Sequence, residues 1–400
     1  MICPKGYILA VEGLAKICIP DPQLYKRENG LYEPSWAPVF YNPKMIENRD
    51  ICIAFLKMML KERRDIVVLD PLAATGVRSI RIALEVDPSR DFIALYMGDI
   101  SLNAVEIMRH NIELNNINKN IFIRHADANE LIYQLVRREG IAPSYIDIDP
   151  FGSPAPFVYA ALNGVKRDGI VALTATDLAV LEGRYKSKLF RRYGVVGVKA
   201  AQSKDIALRV LLSFIIRAAA IYDRYIEPVI SYAMNHYVRV YVKVSKGGLK
   251  ADKILKNCLG VAWCCTNCSY SYMEYMESNI YRSVRCPVCG GKLDPIYPIW
   301  ICGIGDEKHI EKLVGIANEM YWLQKSSRML LENIYRVSRV NSLITRLTYL
   351  AKVFKINVPS IYDIVECLQQ KGFRASKSYI YSDGVATNAS INDLIECMKR

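Results

Sequence analysis

The sequence predicts an α/β protein: a parallel, doubly wound sheet with a smaller C-terminal region that mixes helices and strands. Three observations predict it. Short β-branched runs alternate with segments of helical periodicity through the first 176 residues. Four of those runs close on an aspartate, at Asp70, Asp99, Asp127 and Asp149. After the SKGG boundary (245–248) the pattern breaks and a cysteine-rich stretch follows.

The elements follow in order. Residues 45–63 (MIENRDICIAFLKMMLKER) repeat apolar positions at helical spacing. IVVLD (66–70) is a continuous β-branched run, the mark of a strand buried on both faces. PLAATG then turns into the helical VRSIRIALEV. FIALYMGD (92–99) is the second strand, and SLNAVEIMRHNIELN (101–115) is a helix capped by Ser101. IFIRHAD (121–127) is the third strand, followed by the helical ANELIYQLVRREG. YIDID (145–149) and GIVALTAT (169–176) are the fourth and fifth. A basic, aromatic segment (183–194), a long helix (202–222) and a strand pair (229–245) come next. Residues 258–302 are cysteine-rich, 308–355 mostly helical, and 360–400 read as helix, turn, strand and helix.

The bulk properties set limits. The chain has 400 residues, 52% of them hydrophobic, enough for buried cores and against general disorder. Its net charge of +13 suits a polyanionic partner, most simply a nucleic acid. No long basic amphipathic anchor stands out, and the apolar stretch 206–222 is interrupted by Arg209 and Arg217, so no membrane association is expected. MICPKGYILAVEGLAK lacks a sustained apolar core and a small-residue cleavage site, so a cytoplasmic location is expected. In such a reducing compartment most of the twelve cysteines should be core thiols, with metal ligands where spacing demands them.

In doubly wound sheets ligands bind beyond the carboxyl ends of the strands, where the four aspartates fall. DPLAATGVRSIR (70–81) ends its turn on Gly76 but has Ala73 and Ala74 where a pyrophosphate cradle needs glycines. Arg78, just inside the next helix, suits a carboxylate or a surface salt bridge. Asp99 suits ribose hydroxyls, and Asp127, followed by Ala128, an adenine amino group. A nucleoside cofactor with a carboxylate tail and no phosphate fits this set, and S-adenosylmethionine is such a molecule. In DPFGSP, Asp149 stands beside Phe151. An exocyclic amine on a nucleobase is a poor nucleophile, because its lone pair is delocalised into the ring. A carboxylate can orient that amine and take its proton while an aromatic ring stacks on the base.

Cys265-x-x-Cys268 and Cys286-x-x-Cys289 have the spacing of a structural four-thiolate Zn²⁺ site, with disulfides or free thiols as the alternative. Cys264 adds a neighbouring fifth thiol. Arg184, Lys186, Lys188, Arg191 and Arg192, interleaved with Tyr185, Phe190 and Tyr193, suit a phosphate grip or a solvated basic face. Arg336, Arg339, Arg346, Lys352 and Lys355 could extend that track.

FYNPKMIENRD (40–50), DPLAATGVRSIR, DIDPFGSP, LTATDLAVLEG (173–183), CPVCGGKLDPIYPIW (286–300) and GFRASKSYIYSDGVATNAS (372–390) together resemble the tRNA (guanine-N2) dimethyltransferases that modify tRNA position 26. The resemblance implies a class I S-adenosylmethionine-dependent methyltransferase domain, placed at 1–245. It also implies a family-specific, tRNA-binding domain at 246–400, with a zinc-ribbon-like segment (258–302) and a helical, winged-helix-like segment (308–400). It implies conversion of guanine to N2-methyl- and N2,N2-dimethylguanine. Arg49 and Arg78 would hold the cofactor's methionine end, Asp99 its ribose, and Asp127 and Ala128 its adenine. Asp149 would be catalytic, with Phe40 and Phe151 flanking the guanine. Ser203-Lys204, Asn235-His236 and Cys264 depart from the family pattern. Tests would have to separate this reading from methylation of another nucleic acid, such as ribosomal RNA, and from a non-catalytic zinc-containing RNA-binding protein. No obligate protein partner is inferred.

Overall fold

The structure, a computed structural model, describes residues 2–234, 236–276 and 282–399. The chain forms two compact units, each assembled from separate stretches of sequence. One gathers Met1–Asp149, Phe157–Ala172 and Glu311–Leu331; the other gathers Pro150–Pro156, Leu173–Ile310 and Glu332–Arg400.

The first unit opens with an antiparallel hairpin, β1 (Tyr7–Glu12) and β2 (Ala15–Pro20), which the sequence pattern did not announce. Helix α1 (Ile46–Glu62) is buried along most of its length. β3 (Ile66–Asp70) leads into α2 (Val77–Arg81), which passes directly into one π turn, Ile82–Val86. Then come β4 (Ile93–Asp99), α3 (Leu102–Leu114), β5 (Ile121–His125), α4 (Ala128–Tyr133), β6 (Tyr145–Ile148), α5 (Ala155–Gly164) and β7 (Gly169–Ala175). Ser101 caps α3 as expected, accepting from the Ala104 amide.

β3 pairs in parallel with both β4 and β6, and β4 pairs in parallel with β5. The order is β5-β4-β3-β6-β7. From β3 the chain winds one way through β4 and β5, then returns and winds the other way through β6 and β7. That reversal puts the topological switch point between β3 and β6, where a doubly wound sheet opens its binding crevice. β6 is fully buried and β3 nearly so, as continuous apolar runs require.

β7 runs on into the second unit, where β9 (Val238–Lys246) lies next to it and β8 (Arg224–Ala233) forms the antiparallel edge. Helices α6 (Leu178–Leu181), α7 (Lys186–Tyr193) and α8 (Ser203–Ala220) precede that hairpin. Arg209 sits buried inside α8, bonded to Asp205 (3.3 Å) and to the carbonyls of Trp300 and Cys302 (3.1 Å each). Among the described residues no helix is long and apolar enough to cross a membrane.

After α9 (Gly248–Cys258) the cysteine-rich stretch forms a four-stranded antiparallel sheet. Its strands are β10 (Leu259–Cys265), β11 (Ser271–Tyr275), β12 (Val284–Arg285) and β13 (Lys292–Trp300), in the order β11-β10-β13-β12. Two longer helices, α10 (Glu307–Glu319) and α11 (Lys325–Ser338), lead to the last segment. That segment comprises β14 (Thr345–Arg346), α12 (Leu347–Phe354), α13 (Ile361–Gln370), β15 (Ala375–Lys377), β16 (Gly384–Thr387) and α14 (Ile391–Met398). Trp263 and Leu293 of the cysteine-bearing sheet share one core with Leu347, Leu350, Ile364 and Leu368.

The expectation that cysteines outside the metal set are core thiols needs correction. Six of them pair as disulfides: Cys3–Cys18, Cys258–Cys302 and Cys367–Cys397. The partners lie 15, 44 and 30 residues apart, separations that carry no signature in a single sequence.

Candidate active site and metal centre

The turn after β3 is fixed from both sides. The Ala73 amide donates to the Gly98 carbonyl at 2.9 Å, tying the turn to the end of β4. Gly76 has φ +76°, a conformation that strains any side chain, and a Cβ there would have to push the Met97 methyl aside from 2.6 Å. The same turn orients Asp99: the Ala74 amide donates to Oδ2 (3.0 Å) and the Ser101 amide to Oδ1 (2.9 Å). Each oxygen keeps acceptor capacity for a further donor. Asp127 is the N-cap of α4, and both bonds, from the amides of Asn129 (2.8 Å) and Glu130 (3.3 Å), fall on Oδ1. Ala128 behind it is buried. Two acids at adjacent strand ends, with no phosphate cradle, match the donor set of a nucleoside cofactor.

Arg78 and Asp149 meet at the switch point. Arg78, 5% exposed, pairs through Nη2 with the Asp149 carboxylate, and its Nη1 lies 3.6 Å from Asp147 Oδ2. Asp147 is fully buried and accepts from the Tyr145 hydroxyl at 2.7 Å. The arginine therefore spans both carboxylates of the DID segment and fixes the one that reaches the crevice.

Arg49 is also buried, with Nε and Nη2 each 2.6 Å from a Glu12 oxygen. Arg81 reaches Glu12 (3.0 Å), Asp50 (2.7 Å) and Glu85 (2.8 Å). Burial alone would raise the Glu12 carboxyl; the Arg49 and Arg81 guanidiniums overcome it and hold it at about 2. Glu12 belongs to the hairpin that sequence reasoning missed. Phe40 is 37% exposed and Phe151 75%.

In the second unit, the loop carrying Phe151 is clamped. The Gly152 amide donates to Thr176 Oγ1 and the Thr176 amide returns to the Gly152 carbonyl, both at 2.8 Å. Gly152 has φ +99°, a conformation that disfavours any side chain. Ser153 Oγ and the Tyr193 hydroxyl lie 2.7 Å apart, and that hydroxyl donates to Asp177 at 2.9 Å. Arg192 closes the chain on Asp177 at 2.6 Å. Tyr193 is fully buried, and burial, with Asp177 beside it, pushes its phenol far up.

The basic run is thus two structures rather than one face. Tyr185 and Phe190 are exposed beside Lys186, Lys188 and Arg191, whereas Tyr193 and Arg192 face the loop and Arg184 pairs with Glu182 (3.3 Å). Helical periodicity held the distinction: Tyr193 follows Leu189, the buried position of α7, by one turn. Of the proposed extension, Arg346 pairs with Asp383 (2.5 Å) and stacks over Tyr381 (4.4 Å). Among the residues that depart from the family pattern, the Lys204 amide donates to the Tyr381 hydroxyl at 2.8 Å; Asn235 lies outside the described residues.

The Sγ atoms of Cys265, Cys268, Cys286 and Cys289 all lie within 4.8 Å of one another. Cys265 and Cys289 are 3.5 Å apart, Cys268 and Cys286 3.3 Å. A tetrahedron with Zn–S bonds of about 2.3 Å has edges of roughly 3.8 Å, so the set fits that ion. Backbone amides complete the fit: Tyr270 bonds the Cys268 sulfur, Val288 and Cys289 bond Cys286, and Gly291 bonds Cys289. Cys264 precedes Cys265 in β10 and so points to the opposite face of the strand. Four protein thiolates leave no open position, which makes the site structural.

The family described as N2,N2-dimethylguanosine tRNA methyltransferase matches residues 14–399. A tRNA (guanine(26)-N(2))-dimethyltransferase of Metallosphaera sedula is 34% identical over 391 residues, covering 97% of this chain and 96% of the relative. That of Sulfolobus acidocaldarius is 32% identical over 392 residues, covering 98% and 97%. The solved structure of Trm1 from Pyrococcus horikoshii in complex with S-adenosyl-L-methionine superposes with a TM-score of 0.82 at 30% identity, covering 98% of this chain and all of that one. Family match, full-length relatives and shared fold agree: this chain belongs to the N2,N2-dimethylguanosine tRNA methyltransferase family.

Proposed function

We propose that this chain transfers methyl groups from S-adenosylmethionine to N2 of guanine 26 in tRNA, giving N2-methyl- and then N2,N2-dimethylguanosine. Family membership over nearly the whole chain supports the reaction, and the Arg78–Asp149 pair at the sheet's switch point carries its chemistry. The Asp149 carboxylate accepts a hydrogen bond from the guanine amine, which draws the nitrogen lone pair out of ring conjugation. It takes the amine's proton as the new N–C bond forms. Arg78 keeps that carboxylate oriented, so its geometry is set before substrate arrives. Phe151 in the second unit and Phe40 in the first each present an exposed ring able to stack on a base.

S-adenosylmethionine, when bound, supplies the electrophilic methyl. Asp99 suits its ribose hydroxyls, Asp127 Oδ2 its adenine amine, and Ala128 the floor beneath that ring. Arg49 and Arg78 suit its methionine end, Arg49 being braced by Glu12 and Arg78 by Asp147 and Asp149. The Cys265, Cys268, Cys286 and Cys289 thiolates suit a structural Zn²⁺. Residues 1–245 serve as the catalytic domain and 246–400 as the tRNA-binding domain, acting in the cytoplasm where tRNA is found. Mass spectrometry of tRNA nucleosides after incubation with the cofactor tests the reading. Dimethylguanosine at position 26 is expected; product only in ribosomal RNA would overturn it.

A further inference from the structure

In the second unit the end of α11 and the last segment together line a pocket of about 370 Å³, with Arg336, Arg339, Tyr362, Phe373, Arg374 and Lys377 in its wall. No carboxylate lines it. Of its four cations only Arg339 forms an ion pair among the described residues, with Glu307 at 3.1 Å. Arg374 is held in place by its bond to the Arg339 carbonyl (3.1 Å). Tyr362 is 69% exposed, and the Lys377 ammonium sits 5.0 Å from its ring centroid. The Oγ of Ser376, also in the wall, is buried with no hydrogen-bond partner among the described residues.

We infer that this pocket is a second RNA contact, which holds one unpaired nucleotide of the tRNA apart from the guanine being methylated. The inference rests on the reading of the chain as a tRNA-modifying enzyme. Three unneutralised cations want a phosphodiester, and an exposed phenol ring beside them wants a flat π face. A recess of this volume takes one small ligand rather than a helix surface. A duplex keeps its bases stacked inside, so a nucleotide free to enter must come from a loop or bulge. The Ser376 hydroxyl then offers a hydrogen bond to the base edge or sugar. An acidic peptide would satisfy the cations but leave the ring and the hydroxyl unused.

The test uses the full chain and unmodified tRNA in filter binding over a potassium chloride series. Tyr362→Ala should weaken binding about ten-fold or more, while Tyr362→Phe, which keeps the ring, should stay near wild type. Arg374→Ala and Lys377→Ala should each reduce the slope of log affinity against log salt by about 0.7. p-Benzoylphenylalanine in place of Tyr362 should cross-link to a single nucleotide in an unpaired part of the tRNA. Binding by Tyr362→Ala within two-fold of wild type, or cross-links spread along paired stems, would overturn the pocket assignment. So would competition by poly-glutamate that Tyr362→Ala leaves unchanged. Matching thermal midpoints and zinc contents show that the variants fold. Wild-type protein that binds through the pocket yet methylates no tRNA would sink the proposed reaction and leave the pocket standing. Normal methylation with pocket-indifferent binding would do the reverse.

Discussion

Arg78 Nη2 pairs with the Asp149 carboxylate across the gap between β3 and β6, and Nη1 of the same side chain lies 3.6 Å from Asp147. One guanidinium thus serves a fully buried acid and one that reaches the crevice. Its planar fork can address both at once; an ammonium is a point charge and cannot. Asp149→Ala should reduce methylation about 10²–10⁴-fold, the usual worth of a positioned base. Cofactor affinity, read by calorimetry, should change little. Arg78→Lys should lower kcat for methylation while the fold, read by circular dichroism, persists. Near-normal turnover by Asp149→Ala would remove this acid from the chemistry.

Tyr193 joins α7 to the loop that carries Phe151, through Ser153 on one side and Asp177 on the other. Tyr193→Phe keeps the buried ring and deletes only the hydroxyl, so folding should persist at a cost of about 1 kcal/mol. The loop should lose its anchor, and kcat should fall while the KM for S-adenosylmethionine holds. Ser153→Ala should reproduce the effect, and the double variant should be no worse than either single, because one hydrogen-bonded chain is broken once. Additive losses would show that the two hydroxyls act separately. A purely structural role would shift the thermal midpoint and spare kcat.

What was legible in the sequence divides along physical lines. β3, β4 and β7 announced themselves because strands buried on both faces must be continuous apolar runs, and Asp70 and Asp99 stood where two of those runs stopped. The thiolate set was legible because knuckle spacing is a geometric demand of the ion. The β1–β2 hairpin was not, because its turn residues Gly13 and Leu14 match no strong hairpin pair, and Glu12 meets Arg49 only in three dimensions. Tyr193 was misassigned because composition lumps a buried phenol with its basic neighbours. The disulfides were invisible because partners at long separation leave no pattern.

Glu12 ties the acid stability of the first unit to a hairpin outside the sheet. Its carboxyl is held down at about 2 by Arg49 and Arg81, from an ordinary value near 4.5. A depressed folded-state value contributes stability that is fully present above the unfolded value. It is lost as pH falls from about 4.5 through about 2. Wild-type protein should therefore lose unfolding free energy across that window in urea titrations. Glu12→Gln should be less stable at pH 7 by about 3–5 kcal/mol, since two buried guanidiniums lose their shared partner. Its acid limb should be flatter. An acid limb identical in slope to the wild type would place the loss on other carboxylates.

The cysteines divide into three chemical groups, and a thiol count can read them. Cys3–Cys18, Cys258–Cys302 and Cys367–Cys397 are closed as disulfides; Cys265, Cys268, Cys286 and Cys289 form the metal set; Cys52 and Cys264 are buried thiols. Denatured, chelator-treated protein should take up six alkyl groups without reductant, at the cysteines outside the three disulfides, and twelve after reduction. Native protein should release one zinc per chain when the thiols are titrated with a mercurial. Zinc loss should loosen more than the knuckles, because Trp263 and Leu293 share their core with Leu347 and Ile364. Hydrogen exchange should therefore rise in α12 and α13 as well as in β10 and β13 after chelation. Exchange confined to 265–291 would mean that the metal holds only its own loops, and the shared core would then be self-sufficient without it.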